Sequence, residues 1–232
     1  MAKSLTDLEK KLKIQFKDKN LLKSAFIHRS YLNEHEEEKL SNNERLEFLG
    51  DAILGLVVSR HLYEAYPKSP EGDLTNYRSS LVNAKTLSKA AGSISLGDYL
   101  FLSKGEEATG GRQRQYILAN TFESLIGAIF LDIGIDKVNI FIKDNLLGYL
   151  SEIIEKRLYK DFKSHLQEKS QESFSLTPTY KLVKEEGPDH AKTFKIAVLL
   201  DKKKVAEGTG NSKQEAQQEA AKSALEKWDK IH

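Results

Sequence analysis

The sequence predicts an all-α domain over residues 1–157, followed by a small α+β domain over residues 160–232 in the order α-β-β-β-α. Two observations carry the prediction. Through the first two thirds of the chain, apolar residues return every three or four positions, the period of amphipathic helices. In the last third the period drops to two: Phe194, Ile196, Val198 and Leu200 fall on alternate positions, as on one buried strand face.

The elements follow in order. Leu5, Leu8, Leu12 and Phe16 mark a first helical stretch, and Leu21, Leu22, Ala25 and Phe26 begin a second. Glu34 and Glu36 to Glu38 read as a solvated loop. A long periodic run from Ser41 to Tyr66 predicts a helix. Ser41 with Glu44 three residues on matches a capping box at its start, and Pro67 and Pro70 end it. Leu74 to Ala91 predicts one helix, stopped by Gly92. Gly105 to Gln115, polar and holding Arg112 and Arg114, reads as a mobile or substrate-contacting loop. Tyr116 to Asp132 is helical and strongly apolar, and Val138 to Lys156 is a further amphipathic run. After a boundary near Arg157 to Asp161 come a helix from Asp161 to Gln171, a strand over Pro178 to Lys184 and the alternating strand. A polar turn over Asp201 to Lys203, a short strand over Val205 to Gly208 and a helix from Ser212 to Trp228 complete the chain.

Composition excludes several classes. Hydrophobic residues are 39% and charged residues 30% of the 232, which suits a folded globular chain rather than a disordered one. With no Cys, a disulfide framework, a thiolate zinc site, an Fe–S cluster and a Cys nucleophile are all excluded. A reducing cytoplasmic location is expected. No apolar run is long enough to span a membrane, and the first residues lack the apolar core of a secretory leader. The net charge of +2 says little about partners. Residues 160–232 hold 14 basic and 12 acidic side chains, so anion binding there must come from local patterning.

The strongest chemical signal is Asn43-Glu44-Arg45-Leu46-Glu47-Phe48-Leu49-Gly50-Asp51-Ala52-Ile53-Leu54. At about 3.6 residues per turn, Glu44, Glu47 and Asp51 fall on one helical face. Acidic residues at such spacing are ordinarily a solvated face. The second helix argues otherwise, because it puts Asn120 and Glu123 one turn apart among apolar neighbours, where a carboxylate is costly unless paired or metal-bound. Gly50 and Gly127 would let the two helices approach closely, so that Glu47 and Asp51 face Asn120 and Glu123. An all-oxygen set of this kind suits a hard divalent cation such as Mg²⁺. Glu71, in the Pro70-Glu71-Gly72-Asp73 turn, could reach the edge of such a site. His28 reads as a hydrogen-bonded structural residue rather than a catalytic one.

The Asn43 to Leu54 segment closely resembles the signature of the ribonuclease III family. The resemblance extends to His28-Arg29-Ser30-Tyr31, to Pro70-Glu71-Gly72-Asp73-Leu74 and to the Asn120 to Asp132 helix. The tail resembles a double-stranded RNA-binding domain at Leu166-Gln167-Glu168, Pro178-Thr179-Tyr180, Gly187-Pro188-Asp189-His190 and Gly208 to Lys213. Together the two cover nearly the whole chain. The resemblance implies the ribonuclease III endonuclease fold and a homodimeric endonuclease that cuts double-stranded RNA. Its products would carry 5′-phosphates, 3′-hydroxyls and short 3′ overhangs, in the processing of ribosomal and messenger RNA. By motif position, Glu47, Asp51, Asn120 and Glu123 would hold Mg²⁺, with Mn²⁺ a possible substitute. Asp51 and Glu123 would be the most critical, and Glu44 and Glu71 accessory. Metal at that set would lower the pKa of a bound water and neutralise charge on the leaving 3′ oxygen.

One departure matters: the family often has Asp where this chain has Asn120. An amide still offers a carbonyl oxygen, but one negative charge is lost and metal affinity should fall. The alternative is therefore a dimeric duplex-RNA binder that does not cut.

In the tail, Gln167 and Gln171 would meet 2′-hydroxyls, and His190 would enter the next minor groove. Asn211, Ser212 and Lys213, at the start of the last helix, would face phosphates. Gln214 stands where such domains commonly carry a second Lys or Arg, which predicts a weaker phosphate grip. Gly208-Thr209-Gly210 is no nucleotide loop, lacking GxxxxGK[ST], and would permit a turn into the last helix; no nucleotide cofactor is expected. Tyr180, Phe194 and Trp228 read as core. Ile53, Leu56 and Val57 are candidates for a dimer surface.

Overall fold

The computed structural model describes residues 2–155, 161–188 and 192–230. His190 and residues 157–160 of the expected boundary lie outside the described residues. The chain forms two compact units, Met1–Tyr159 and Lys160–His232.

The first unit is helical: α1 (Leu5–Leu12), α2 (Lys19–Ser24), α3 (Arg29–Leu32), α4 (Glu44–Ala65), α5 (Glu71–Val82), α6 (Ala84–Ser93), α7 (Lys104–Ala108), α8 (Gln115–Asp132), α9 (Ile135–Ile142) and α10 (Tyr149–Glu155). Its centre is the pair α4–α8, where Leu54, Val58, Phe122, Leu125 and Ile126 are sealed from solvent. Each such side chain contributes roughly 1.5–3 kcal/mol by burial. Ser124 ties the pair further, its hydroxyl lying 3.2 Å from the Asn43 carbonyl oxygen and 2.7 Å from that of Asn120.

Several expected boundaries move for local reasons. The capping box at Ser41 does not form: α4 begins at Glu44, whose N–H donates to Asn42 Oδ1 at 3.3 Å. The helix expected over 74–91 breaks at Asn83, extended at ψ 157°, whose Oδ1 accepts from the Thr86 N–H at 2.9 Å and starts α6. Asn competes with the helix by capping a new one. Gly92 lies inside α6 rather than stopping it. The run from Val138 is α9 and α10 joined by one wide π-turn over Lys143–Leu147. The expected loop at 105–115 is tied down: Arg112 donates to the carbonyls of Gly97 and Leu100 and pairs with Glu107, while Arg114 pairs with Glu106. In the acidic loop before α4, Glu38 takes the Lys23 ammonium and Glu34 accepts from the Lys104 N–H, so neither is merely solvated.

The second unit is α11 (Phe162–Phe174), β1 (Thr179–Glu186), β2 (Thr193–Leu200), β3 (Lys203–Gly210) and α12 (Lys213–Glu226). The three strands form an antiparallel sheet in the order β1-β2-β3. Tyr180 pairs with Val198, and Val198 with Ala206. Leu166, Val198, Leu200, Ala220, Ala221, Ala224 and Trp228 form its core, with Tyr180 packed beside it. Phe194 is only partly buried and carries the Lys213 ammonium 5.8 Å above its ring. Asp201 and Lys202, both at positive φ, make the β2–β3 turn. Lys203 already belongs to β3, which is longer than expected. Gly208 and Gly210 are strand residues rather than a turn. A Cβ on Gly208 would meet the Ala220 nitrogen at 2.1 Å, so glycine lets β3 lie directly on α12.

Candidate active site

The two central helices deliver the acidic residues to one place. A Cβ on Gly50 would lie 1.8 Å from the Glu123 carbonyl oxygen, and one on Gly127 would lie 2.3 Å from that of Leu46. Only bare Cα atoms allow this approach. As a result Glu44, Glu47 and Asp51 of α4 share a cavity of about 600 Å³ with Asn120 and Glu123 of α8. His28, Arg29 and Tyr116 complete much of its rim.

The cavity is electrostatically strained. Burial, then the charges of Asp51 and Glu47, push the Glu123 carboxyl up to about 7. Glu47 is also raised, first by burial; a hydrogen bond from Asn120 opposes this, and the charges of Glu44 and Asp51 add to it. Among the described residues no Lys or Arg lies within ion-pair distance of Glu47, Asp51 or Glu123. The nearest cation in the cavity wall is Arg29, 3.9 Å from Glu44. Unpaired carboxylates in a half-enclosed cavity favour a bound cation. The donor set of four oxygen-bearing side chains fits a hard divalent ion. Still, among the described residues no three His, Cys, Asp or Glu side chains are gathered closely enough to hold a metal. The fourth member of the set, Asn120, is an amide and falls outside that grouping.

In the second unit, Gln167 and Gln171 are exposed on α11, as are Asn211, Ser212 and Lys213 at the start of α12. The start of α12 is partly self-satisfied. Ser212 Oγ accepts from the Glu215 N–H at 3.1 Å, and Glu215 Oε2 accepts from the Asn211 N–H at 2.8 Å. The Asn211 and Glu215 backbone amides are thereby occupied within the chain. Gln214 lines a small polar cavity with Gln167 and Tyr180.

Comparison with known proteins decides the family. A family model described as Ribonuclease-III-like matches residues 18–150, and one described as Double-stranded RNA binding motif matches residues 162–228. Ribonuclease 3 of a Nitratiruptor species is 46% identical over 227 residues, 96% of each chain. Ribonuclease 3 of Streptococcus pneumoniae is 44% identical, over 98% of this chain and 97% of its own. The chain belongs to the ribonuclease III family. The solved nuclease domain of ribonuclease III from Campylobacter jejuni matches with a TM-score of 0.56 at 43% identity, covering 61% of this chain and 92% of that one. A second structure of that Campylobacter domain is described as showing structural flexibility in a region involved in dimer formation.

As a ribonuclease III, the chain joins a helical nuclease domain to an α-β-β-β-α domain of the double-stranded RNA-binding type, as its periodicity predicts. Five of the six acidic or amide residues singled out in the sequence line one cavity. The sixth, Glu71, does not: it opens α5, exposed, with its Oε1 accepting from the Thr75 hydroxyl at 2.9 Å. Ile53 and Val57 are core residues at 6% and 7% exposure, and only Leu56 of that trio faces solvent. Two features went unread in the sequence. Phe48 stands 82% exposed on α4, although its position inside an acidic motif gives no sign of it. His28 is the N-cap of α3, and it lines the acidic cavity.

Proposed function

We propose that the cavity on α4 and α8 hydrolyses the phosphodiesters of double-stranded RNA with Mg²⁺ or Mn²⁺, leaving 5′-phosphates, 3′-hydroxyls and short 3′ overhangs. The observation that carries this reading is the unpaired set Glu47, Asp51 and Glu123, concentrated in one cavity of a chain that also holds a duplex-RNA-binding motif. Glu47, Asp51, Asn120 and Glu123 would hold the metal, which when bound supplies an activated water and charge neutralisation at the leaving oxygen. Glu123 must lose its proton to serve, so its carboxyl near 7 leaves it poised for that loss. Asn120 offers its carbonyl oxygen, while its amide favours the ionised form of Glu47. Glu44, whose carboxylate is 3.9 Å from Arg29, shapes the cavity edge. Glu71 lies outside this cavity and is kept as an accessory acidic residue rather than a member of the metal set.

The second unit would grip the duplex through Gln167, Gln171, His190, Asn211, Ser212 and Lys213. Shape and backbone rather than base edges would be read, because the A-form major groove is too narrow for side chains. Catalysis would take place in a homodimer. Exposed Phe48 stands beside a cavity of about 700 Å³ lined by Leu21, Leu46, Leu49 and Leu131, so two copies could exchange aromatic rings in a self-complementary contact. Among the described residues no helix is long and apolar enough to cross a membrane. Ribosomal and messenger RNA precursors of the cytoplasm are the proposed substrates.

The test is incubation of a long, uniformly labelled RNA duplex with Mg²⁺ or with chelator, followed by end-group analysis. Short 5′-phosphorylated duplexes in Mg²⁺ alone are expected. An intact duplex that shifts on a native gel would instead establish the silent binder, with Asn120 as the reason chemistry fails.

A further inference from the structure

His28 closes one side of the acidic cavity, and its hydrogen bonds fix where its proton sits. The Ser30 N–H donates to His28 Nδ1 at 3.3 Å, and the Ser30 hydroxyl lies 2.8 Å from the same atom. That hydroxyl oxygen accepts from the Ser103 N–H at 3.2 Å, leaving its own proton free to point at Nδ1. A nitrogen that accepts from a backbone amide carries no proton, so the neutral ring bears its hydrogen on Nε2. Burial, with help from Arg29 and Arg114, holds the imidazole below its ordinary pKa against the opposing charges of Glu106 and Glu44. The neutral form is therefore the resting one. Nε2 has no hydrogen-bond partner among the described residues, and it is not among the buried, unsatisfied atoms. The backbone holding the ring is pinned as well: the His28 N–H donates to the Phe101 carbonyl at 3.1 Å, beside the bridge between Ile27 and Phe101.

The chemistry of the cavity gives that proton a use. The Glu44, Glu47, Asp51 and Glu123 side chains, once ionised, can only accept hydrogen bonds, and the phosphate oxygens of RNA can only accept too. A substrate backbone entering here needs a donor whose direction is set in advance and which does not neutralise the carboxylates meant for metal. A neutral imidazole with a fixed tautomer meets both conditions; Arg29, exposed and already beside Glu44, does not.

We propose that His28 contacts the substrate, its Nε2–H donating to a backbone oxygen of the RNA strand beside the bond being cut. The proposal rests on the reading of the cavity as the cleavage site. His28→Asn and His28→Gln separate the donor from the cap. Asn reproduces the Nδ1 acceptor and caps α3 but has no distal donor; Gln places an amide N–H near Nε2 and gives up the cap. Single-turnover cleavage of a labelled duplex in Mg²⁺, with melting curves, reads both. The Asn variant should melt with the parent protein, require the same Mg²⁺ concentration and cut roughly tenfold to a hundredfold more slowly, the effect of one lost hydrogen bond in the transition state. The Gln variant should recover part of that rate even if it melts earlier. An Asn variant that cuts at the parental rate overturns the proposal. So does a Gln variant that is as slow as Asn, because then no distal donor matters. If the parent protein itself leaves the duplex intact, the cleavage reading fails first and the role of His28 with it.

Discussion

Gly50 of α4 lies so close to Glu123 of α8 that a methyl group on its Cα would sit 1.8 Å from the Glu123 carbonyl oxygen. The contact joins fold and site, because the residues on either side of it, Glu47 and Asp51, are the ones that face Glu123 across the cavity.

Gly50→Ala should therefore harm both stability and activity. The clash is with backbone, which cannot swing away, so the helices must separate. Overpacking of this kind costs about 1–3 kcal/mol. A melting temperature lowered by several degrees, together with a higher Mg²⁺ requirement for cleavage, is expected. Unchanged melting would show that the helices are not in contact here.

Glu123→Gln should stabilise the metal-free protein at alkaline pH while abolishing cleavage. The Glu123 carboxyl is raised from 4.5 to about 7, so the fold disfavours its charged form. Its cost to stability is absent below about pH 4.5, grows as pH rises through 7 and is complete above it. Discounted for solvent screening, the gain is of the order of 1 kcal/mol, or about 2–4 °C. Melting curves in chelator at pH 4 and pH 8 check it: the two proteins should coincide at the lower pH and diverge at the higher. A constant difference at both would mean the effect is not titration of Glu123.

Much of this arrangement is legible in the residue order, and some is not. Glu47, Asp51, Asn120 and Glu123 announce themselves by helical spacing, and the glycines opposite them announce the close approach. The break at Asn83 is hidden because the apolar pattern runs on across it, and only the Asn83 side chain capping Thr86 decides the matter. The place of Glu71 at the start of α5, outside the cavity lining, depends on how α5 packs, which local pattern does not encode. The surroundings of His28 look apolar in sequence, yet the Ser30 hydroxyl beside its ring is itself held by the Ser103 N–H, 73 residues on.

Phe48→Glu should yield monomers. Phe48 is 82% exposed beside a cavity lined by four leucines along with polar residues, and a carboxylate in its place gives up the apolar contact of the ring. Light scattering at working concentration is expected to show a dimer for the parent protein and half that mass for the variant. A parent protein that is already monomeric would remove the dimer from the account.

Gln214→Lys should tighten duplex binding. Gln214 is exposed in the first turn of α12, next to Lys213, and a cation there would gain a phosphate contact. The slope of log affinity against log salt should steepen by about one unit. Filter binding in chelator across a salt series measures it, and an unchanged slope would place α12 away from the phosphates.

The α4–α8 carboxylates are proposed to hold the metal that cuts RNA. Single-turnover cleavage of a long duplex in Mg²⁺, comparing the parent protein with Asp51→Asn, tests it most directly. The parent protein should yield 5′-phosphorylated short products. Asp51→Asn should cut at a rate at least about a hundredfold lower, with duplex binding in chelator unchanged. Equal rates from the two proteins would contradict it.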